Sequence, residues 1–199
     1  MRNDSFVTPF MKDSIVEDMK TQSALKHRTI YMSESVDEDS VFKLNYYLDR
    51  IVRLDSKLNT KEPITIIISS FGGSVYEILS SISRLEKMQE DGYIIKTIID
   101  AKAMSCGSLL SQCGSKGHRY ANRYSTVLYH QVSSATWGTL AEMEVGIEET
   151  QRLWNLMKSI TLKHTNVSDE WFENLKERNK DLYLTPEQCL DLGIIDHIL

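Results

Sequence analysis

The stretch 64-ITIIISSFGGSVYEILSSISRLEKM-88 combines the patterns of a strand, a glycine turn and an amphipathic helix. Its first five residues, Ile64–Ile68, are all apolar or β-branched, which predicts a buried strand. After Gly72-Gly73, apolar residues return at helical spacing, at Val75, Ile78, Leu79, Ile82, Leu85 and Met88. A buried strand that leads through a short turn into a helix is the repeating unit of an α/β fold.

The same succession recurs further along the chain. Ile94–Ile99 predicts a second strand, which leads into the helix-like stretch 101-AKAMSCGSLL-110. Thr126–Tyr129 predicts a third strand, which runs into His130. Strands that alternate with helical patterns favour parallel pairing, so we predict an α/β core with a mostly parallel sheet.

The second half of the chain is more helical. Thr139-Leu-Ala-Glu142 fits a capping box, in which the threonine and glutamate side chains bind free backbone amides at a helix start. Two adjacent apolar stripes follow, Leu140, Met143, Ile147, Trp154 and Met157 on one and Leu153, Leu156 and Ile160 on the other. Two interpretations are open: half of this surface meets another subunit, or the helix lies in a deep groove of its own domain.

The C-terminal end of the chain carries clear secondary-structure signals, whereas the N-terminal end does not. Thr185-Pro186 predicts a helix start, because proline is favoured in a first helical turn. Gly193 ends that helix, and Ile194–Ile195 predicts a final short strand. Residues 1–27 are the least patterned part of the chain and form a candidate mobile segment.

Composition narrows the class of protein. At 199 residues the chain suits a single domain with a substantial core. Its net charge of -5 disfavours nucleic acid or an anionic membrane as the main partner. No apolar run approaches the roughly 18 residues of a membrane span, and the N-terminus lacks the apolar core of a secretory signal. The cysteines are odd in number and without metal-like spacing, which favours a reducing, cytosolic compartment.

Ser105 lies among small residues where the second predicted strand gives way to a helix. Free amides and the positive dipole end of a helix start favour negative charge, and the amide of Cys106 is a natural oxyanion donor. Serine is also common in a first helical turn simply because it is small. The position alone leaves both interpretations open, a catalytic nucleophile and a packing residue.

Three further features would complete a nucleophilic site. Gly72-Gly73 allows a backbone amide to approach a substrate closely, although an ordinary turn uses the same pair. His130 is either a general base or a structural histidine. Asp181 is the first candidate for the acid that orients an imidazole, and Asp196 is the second. Spacing does not exclude the other acids of this region, Asp169, Glu177 and Asp191.

The order of these residues disfavours the α/β-hydrolases. In that family the acid precedes the histidine, and the nucleophile lies in Gly-x-Ser-x-Gly. Here His130 precedes the candidate acid, and the window Ala103–Gly107 lacks the first glycine.

Three motifs, in order, resemble those of the ClpP family of serine peptidases. SSFGGSVYEILSSISRLEKM (69–88) is similar to the family's Asn-Ser-Pro-Gly-Gly loop and the helix after it. AKAMSCGSLLSQCGSKGHRYANRYSTVLYHQ (101–131) is similar to its Ala-Ser-Met-Gly nucleophile segment and the strand ending in His-Gln, and DLYLTPEQCLDLGIIDHIL (181–199) to its closing segment. The resemblance implies one peptidase domain over residues 28–199, with a crotonase-like α/β fold of repeated ββα units and a long protruding handle helix. Residues 1–27 are then a divergent N-terminal segment.

The resemblance also implies a role for each candidate residue. Ser105 corresponds to the nucleophile, His130 to the general base and Asp181 to the orienting acid. The backbone amides of Gly73 and Cys106 correspond to the oxyanion donors. The implied activity is a serine endopeptidase for unfolded proteins that needs no metal or cofactor.

Membership would further imply a cytoplasmic homo-oligomer of stacked heptameric rings, joined by the helix that begins after Thr139. Such a chamber takes polypeptide substrates from an ATP-driven AAA+ unfoldase, and involves neither nucleic acid nor a membrane. Three alternatives remain. They are a phage head-maturation protease of the same fold, a catalytically silent ring subunit, and a crotonase-type acyl-CoA enzyme.

The sequence departs from the family pattern in three places. Phe71 replaces the proline of the glycine loop, and Cys106 replaces the methionine after the nucleophile. The segment after His130, residues 132–139, lacks the family's glycine pair and carries Trp137. The first two changes leave the backbone amides in place, whereas the third affects the strand that would grip a substrate.

Overall fold

The computed structural model describes residues 9–133, 135, 137–178 and 181–199. Within these residues the chain has the predicted α/β fold, built on one seven-stranded sheet. The strands are β1 Thr29–Met32, β2 Ile64–Ser70, β3 Ile95–Met104, β4 Arg119–Ala121, β5 Thr126–Tyr129, β6 Leu182–Leu184 and β7 His197–Ile198. The helices are α1 Pro9–His27, α2 Glu38–Leu58, α3 Val75–Glu90, α4 Cys106–Gln112, α5 Leu140–His164, α6 Asp169–Arg178 and α7 Pro186–Asp191.

The sheet is mostly parallel, as the alternation of strands and helices predicts. Strands β1, β2, β3, β4 and β7 pair in that order and in parallel. Strand β5 pairs in parallel with the far end of β3, and β6 pairs antiparallel with β5. Strand β3 has room for both neighbours, because Thr97–Ile99 pair with β4 and Lys102–Met104 pair with β5.

The core lies between the inner face of this sheet and the helices. Alternate residues of β2, namely Ile64, Ile66 and Ile68, are completely buried. Helix α3 buries Ile78 and Leu85 in the same cluster. Each fully buried isoleucine or leucine contributes roughly 2 kcal/mol, so the pattern that opens at Ile64 is the main source of stability in this part of the fold.

Strand β3 is longer than predicted. The sequence predicts a strand that ends at Ile99 and a helix-like segment from residue 101, but the strand continues to Met104 and α4 begins at Cys106. The helical prediction for residues 101–104 is therefore wrong. Pairing of Lys102–Met104 with β5 supplies backbone hydrogen bonds that outweigh the local preference of the alanines.

The final strand is also displaced from its prediction. Ile194 and Ile195 are buried, but their N–H groups donate to the Cys189 carbonyl at 2.8 and 3.3 Å. These bonds close the C-terminal end of α7, so neither isoleucine pairs with the sheet. The strand is His197–Ile198, which pairs with β4.

Helix α5 begins as predicted, with a capping box between Thr139 and Glu142. Its C-terminal half lies against its own domain and buries Trp154 and Met157. Its N-terminal half leaves large apolar side chains exposed: Leu140 at 70%, Val145 at 64% and Ile147 at 64%. The structure therefore divides the helix between the two interpretations, with a groove for one half and an uncovered apolar surface on the other.

The N-terminal segment contains helix α1, while residues 1–8 lie outside the described residues. Ala24 of α1 is fully buried. Lys20 forms an ion pair with Glu34 at 2.8 Å. These contacts hold the second half of α1 against β1 and α2. In the described part of the chain, none of the helices combines the length and the apolar character of a membrane span.

Candidate active site

The parallel pairing of β3 and β5 brings Ser105 and His130 to the same end of two neighbouring strands. Met104 pairs with Leu128, and the Ser105 N–H extends the ladder by donating to the Leu128 carbonyl at 2.9 Å. The carboxyl ends of neighbouring parallel strands lie at the same edge of a sheet, where ligands of α/β proteins bind. Because Ser105 follows β3 and His130 follows β5, both residues lie at that edge.

The antiparallel pairing of β5 and β6 brings Asp181 to His130. Tyr129 pairs with Leu182, so the residues one step further along, His130 and Asp181, face each other across the two strands. His130 Nδ1 and Asp181 Oδ1 are 3.8 Å apart, which is within ion-pair range and beyond a hydrogen bond. Within the described part of the chain the Ser105 hydroxyl has no hydrogen bond to the His130 ring. Such bonds commonly form only when substrate binds.

Ser105 has a backbone conformation that is rare for a residue with a side chain, with φ 52° and ψ −119°. Its N–H belongs to the β3–β5 ladder, while its carbonyl accepts from Ser108 and Leu109 as the start of α4. One residue thus turns the chain from strand to helix. A positive φ at a non-glycine residue costs about 1–3 kcal/mol, and such strain is concentrated at functional sites.

The glycine loop lies directly against Ser105. A Cβ atom on Gly72 would come within 2.7 Å of Ser105 Cβ and 3.1 Å of Cys106 N. Val36 fixes this loop, because its N–H donates to the Gly72 carbonyl at 2.8 Å and its carbonyl accepts from the Ser74 N–H at 2.7 Å. No sequence pattern points to Val36, which lies far from the glycine loop in the chain.

Two backbone donors near Ser105 are unpaired. Val36 and Gly73 form a parallel β-bridge, in which Val36 bonds to the Gly72 carbonyl and the Ser74 N–H. The N–H of Gly73 itself therefore points away from Val36. The N–H of Cys106 is in the first turn of α4, where no helical partner exists. Among the described residues neither amide has a hydrogen-bond partner. Both are therefore free to bind an oxyanion formed at Ser105.

The Cys106 side chain links these two donors. Its Sγ donates to the Gly73 carbonyl at 3.2 Å, and the side chain is completely buried. Burial raises the pKa of the Cys106 thiol, so it remains a protonated donor. The family resemblance implies a role only for the backbone of Cys106, whereas the structure adds a contact from the thiol to the glycine loop.

Asp196, the second candidate for the acid, belongs to a different contact. Its carboxylate binds Arg119 through two side-chain bonds of 2.9 and 2.6 Å, and also accepts the Arg119 and Gly117 N–H groups. Burial raises the pKa of Asp196, but the hydrogen bonds and charge of Arg119 more than offset this effect, so the pKa lies below its ordinary value. Another rival, Asp169, pairs with Lys158 at 2.7 Å.

The Arg119–Asp196 pair predicts a specific pH dependence of stability. Since the pKa of Asp196 is lowered by folding, its contribution is complete above the ordinary carboxyl pKa of about 4 and is lost as pH falls below it. Asp196→Asn leaves the buried Arg119 charge unpaired and is expected to lower the free energy of unfolding by about 3 kcal/mol at pH 7. Urea unfolding from pH 7 to pH 3 should show the difference between the two proteins shrinking at acid pH. A constant difference would contradict this assignment.

The residues that depart from the family pattern lie at the edges of the site. The Phe71 ring is 69% exposed and has Lys102 Nζ 4.2 Å from its centroid. Trp137 is 84% exposed, while residues 134 and 136 of the same segment lie outside the described residues. No group of three or more His, Cys, Asp or Glu side chains in the described ranges is arranged to hold a metal ion.

Comparison with known proteins shows which family the chain belongs to. The family described as Clp protease matches residues 12–199, and so includes all but the first three residues of α1. Among curated proteins, the ATP-dependent Clp protease proteolytic subunit of Deinococcus radiodurans is 30% identical over 175 residues. The alignment covers 88% of this chain and 81% of that relative.

Proposed function

Because the chain belongs to the Clp protease family, we propose that it is a serine endopeptidase that cleaves peptide bonds through an acyl-enzyme at Ser105. One observation carries the assignment. The strand registers bring Ser105, His130 and Asp181 to one edge of the sheet, beside the two unpaired amides. A packing role for Ser105 does not account for its strained backbone or for these free donors.

In the proposed mechanism His130 takes the proton of the Ser105 hydroxyl as the oxygen attacks the scissile carbonyl. The N–H groups of Gly73 and Cys106 bind the oxyanion of the tetrahedral intermediate. The imidazolium, stabilised by the Asp181 carboxylate, then gives its proton to the leaving amine, and the acyl-enzyme forms. Water activated by His130 releases the acyl group and restores the Ser105 hydroxyl.

We also infer that the protein works as an assembled chamber. The exposed apolar side chains on the N-terminal half of α5 support a role for this helix in joining stacked heptameric rings. The Deinococcus radiodurans relative is named as the proteolytic subunit of an ATP-dependent protease, which supports an ATP-dependent partner for this chain. We infer that this partner is an AAA+ unfoldase that delivers unfolded polypeptides. The described cysteines, Cys106, Cys113 and Cys189, are free thiols, which supports a reducing, cytoplasmic location.

The direct test is covalent labelling with a fluorophosphonate, which reacts with activated serine nucleophiles. We expect the wild-type protein to be labelled and the Ser105→Ala protein to carry no label, with the modified peptide mapping to Ser105. Both proteins must first be matched for assembly by native mass measurement. An assembled wild-type protein that stays unlabelled would contradict the peptidase proposal and favour a silent ring subunit.

The same native mass measurement tests the chamber. We expect the mass of a heptamer or of two stacked heptamers. Val145→Lys and Ile147→Lys, which charge the exposed face of α5, are expected to separate the rings. A stable monomer of the wild-type protein would refute the assembly proposal without affecting the labelling result.

A further inference from the structure

A chain of buried hydrogen bonds joins β5, α4 and α5. The Tyr129 hydroxyl donates to Gln112 Oε1 at 2.7 Å, and Gln112 Nε2 donates to Thr161 Oγ1 at 3.0 Å. The Thr161 hydroxyl in turn donates to the Met157 carbonyl at 3.0 Å. We call the side chains of Tyr129, Gln112 and Thr161 the buried network.

The buried network is closed to solvent. Gln112 and Thr161 are 0% exposed and Tyr129 is 2% exposed. The Trp171 ring packs edge-on against the Tyr129 ring, with centroids 5.4 Å apart and planes at 88°. Burial raises the pKa of Tyr129, so its hydroxyl remains protonated and available as a donor at any working pH.

Stability alone does not require polar residues at these positions. Apolar side chains of similar shape can replace a fully paired buried polar group at little net cost in stability. Hydrogen bonds differ from apolar contacts in that they weaken steeply when the angle or distance changes. A satisfied buried network therefore holds the elements it joins in one relative position.

Two members of the buried network, Tyr129 and Gln112, belong to elements that adjoin the candidate active site. Tyr129 is the last residue of β5 and directly precedes His130, and Gln112 is the last residue of α4, the helix for which Ser105 is the N-cap residue. The bond from Tyr129 to Gln112 thus ties the strand that leads into the base to the helix that follows the nucleophile. Thr161 lies on the buried half of α5 and connects this pair to the long helix.

We propose that the buried network positions the peptidase site, with Tyr129 and Gln112 setting the approach of His130 to Ser105 and Thr161 anchoring both to α5. This inference rests on the proposed function. Tyr129, Gln112 and Thr161 touch neither substrate nor the reacting atoms, so they are positioning residues. The exposed half of α5 belongs to the same helix, and the network is thus one contact through which a displacement of α5 reaches the nucleophile and the base.

The test uses the full chain and the rate of fluorophosphonate labelling. Tyr129→Phe removes one hydroxyl and keeps the ring packed on Trp171. We expect it to lower the maximal labelling rate about tenfold while the half-saturating probe concentration stays unchanged, since only the alignment of the reacting groups is lost. Thr161→Val leaves the Gln112 amide without its acceptor and should act in the same direction. Thr161→Ser keeps the hydroxyl and should restore the wild-type rate.

The matched control is Tyr47→Phe. Tyr47 is also buried, and its hydroxyl is bonded to Thr21 at 3.2 Å and to Glu17 at 3.0 Å, on α1 and away from the site. This variant should lower the melting temperature about as much as Tyr129→Phe and leave the labelling rate at the wild-type value. A purely structural role for the buried network predicts that the two variants behave alike.

The outcomes separate this inference from the proposed function. A wild-type protein that is labelled, with slow labelling confined to Tyr129→Phe and Thr161→Val, supports both. Labelling of Tyr129→Phe at the wild-type rate, or an equal loss in Tyr47→Phe, overturns the positioning inference alone. An assembled wild-type protein that is never labelled overturns the proposed function and this inference with it.

Discussion

Asp181→Asn is expected to lower the rate of peptide hydrolysis roughly a thousandfold. An amide carries no charge to stabilise the imidazolium, and its N–H₂ group can hold the imidazole in the wrong tautomer. The change should alter the free energy of unfolding by less than about 1 kcal/mol, because Asp181 is largely exposed and its contact with His130 is 3.8 Å long. Steady-state hydrolysis and urea unfolding of the same preparations measure the two quantities.

Asp196→Asn is the matched control for Asp181→Asn, because it makes the same chemical change at the rival acid. Its carboxylate binds Arg119 rather than a histidine, so the variant should lose stability and keep the hydrolysis rate per folded molecule within about twofold. The two substitutions are thus expected to have opposite effects. Loss of hydrolysis in Asp196→Asn at full folding, with normal hydrolysis in Asp181→Asn, would show that the acid has been assigned to the wrong residue.

Gly72→Ala is expected to abolish both the fold of the glycine loop and the activity that depends on it. Gly72 has φ +89°, and a Cβ there would lie 2.5 Å from the Met104 carbonyl oxygen as well as 2.7 Å from Ser105 Cβ. Met104 and Ser105 backbone atoms are held by the β3–β5 ladder and cannot easily move. We expect a loss of about 4 kcal/mol in the free energy of unfolding and at least a 100-fold lower labelling rate in the folded fraction.

Gly92→Ala is the matched control for Gly72→Ala, because it introduces the same backbone strain without the steric clash. Gly92 also has φ +89°, but the nearest atom to its added Cβ is Lys61 Nζ at 3.8 Å, the far end of a flexible side chain. This variant should lose only about 1 kcal/mol, the cost of a positive φ, and keep the wild-type labelling rate. Equal losses in the two alanine variants, measured by urea unfolding, would rule out a steric role for the loop at Ser105.

Some parts of the candidate site could be predicted from local patterns. The apolar run from Ile64 and the helical spacing after Gly73 predict β2 and α3, and the structure confirms both. The same kind of periodicity predicts that His130 directly follows a strand, which the structure confirms with β5. Periodicity is reliable in these cases because it reports which side of a strand or helix is buried, and that property is local.

Other parts depend on pairing between distant residues, which local patterns do not encode. The strand β6 is only the three residues Leu182–Leu184, too short for a recognisable pattern, yet its antiparallel register on β5 is what sets Asp181 opposite His130. The same holds for Asp196. Folding brings Arg119 to its carboxylate, which is therefore not available to orient His130.

The residue pattern and the family motifs are enough to predict the α/β class, the order of the main elements and the candidates for nucleophile and base. Only the folded structure reveals where β3 ends, how close the Asp181 carboxylate lies to the histidine, and which side chains connect Tyr129 to α5. The physical reason is the range of the interactions. Which side of a helix or strand is buried can be read from residues that are close together in the sequence. Strand register and buried polar contacts instead join residues some 50 positions apart, as between Tyr129 and Leu182.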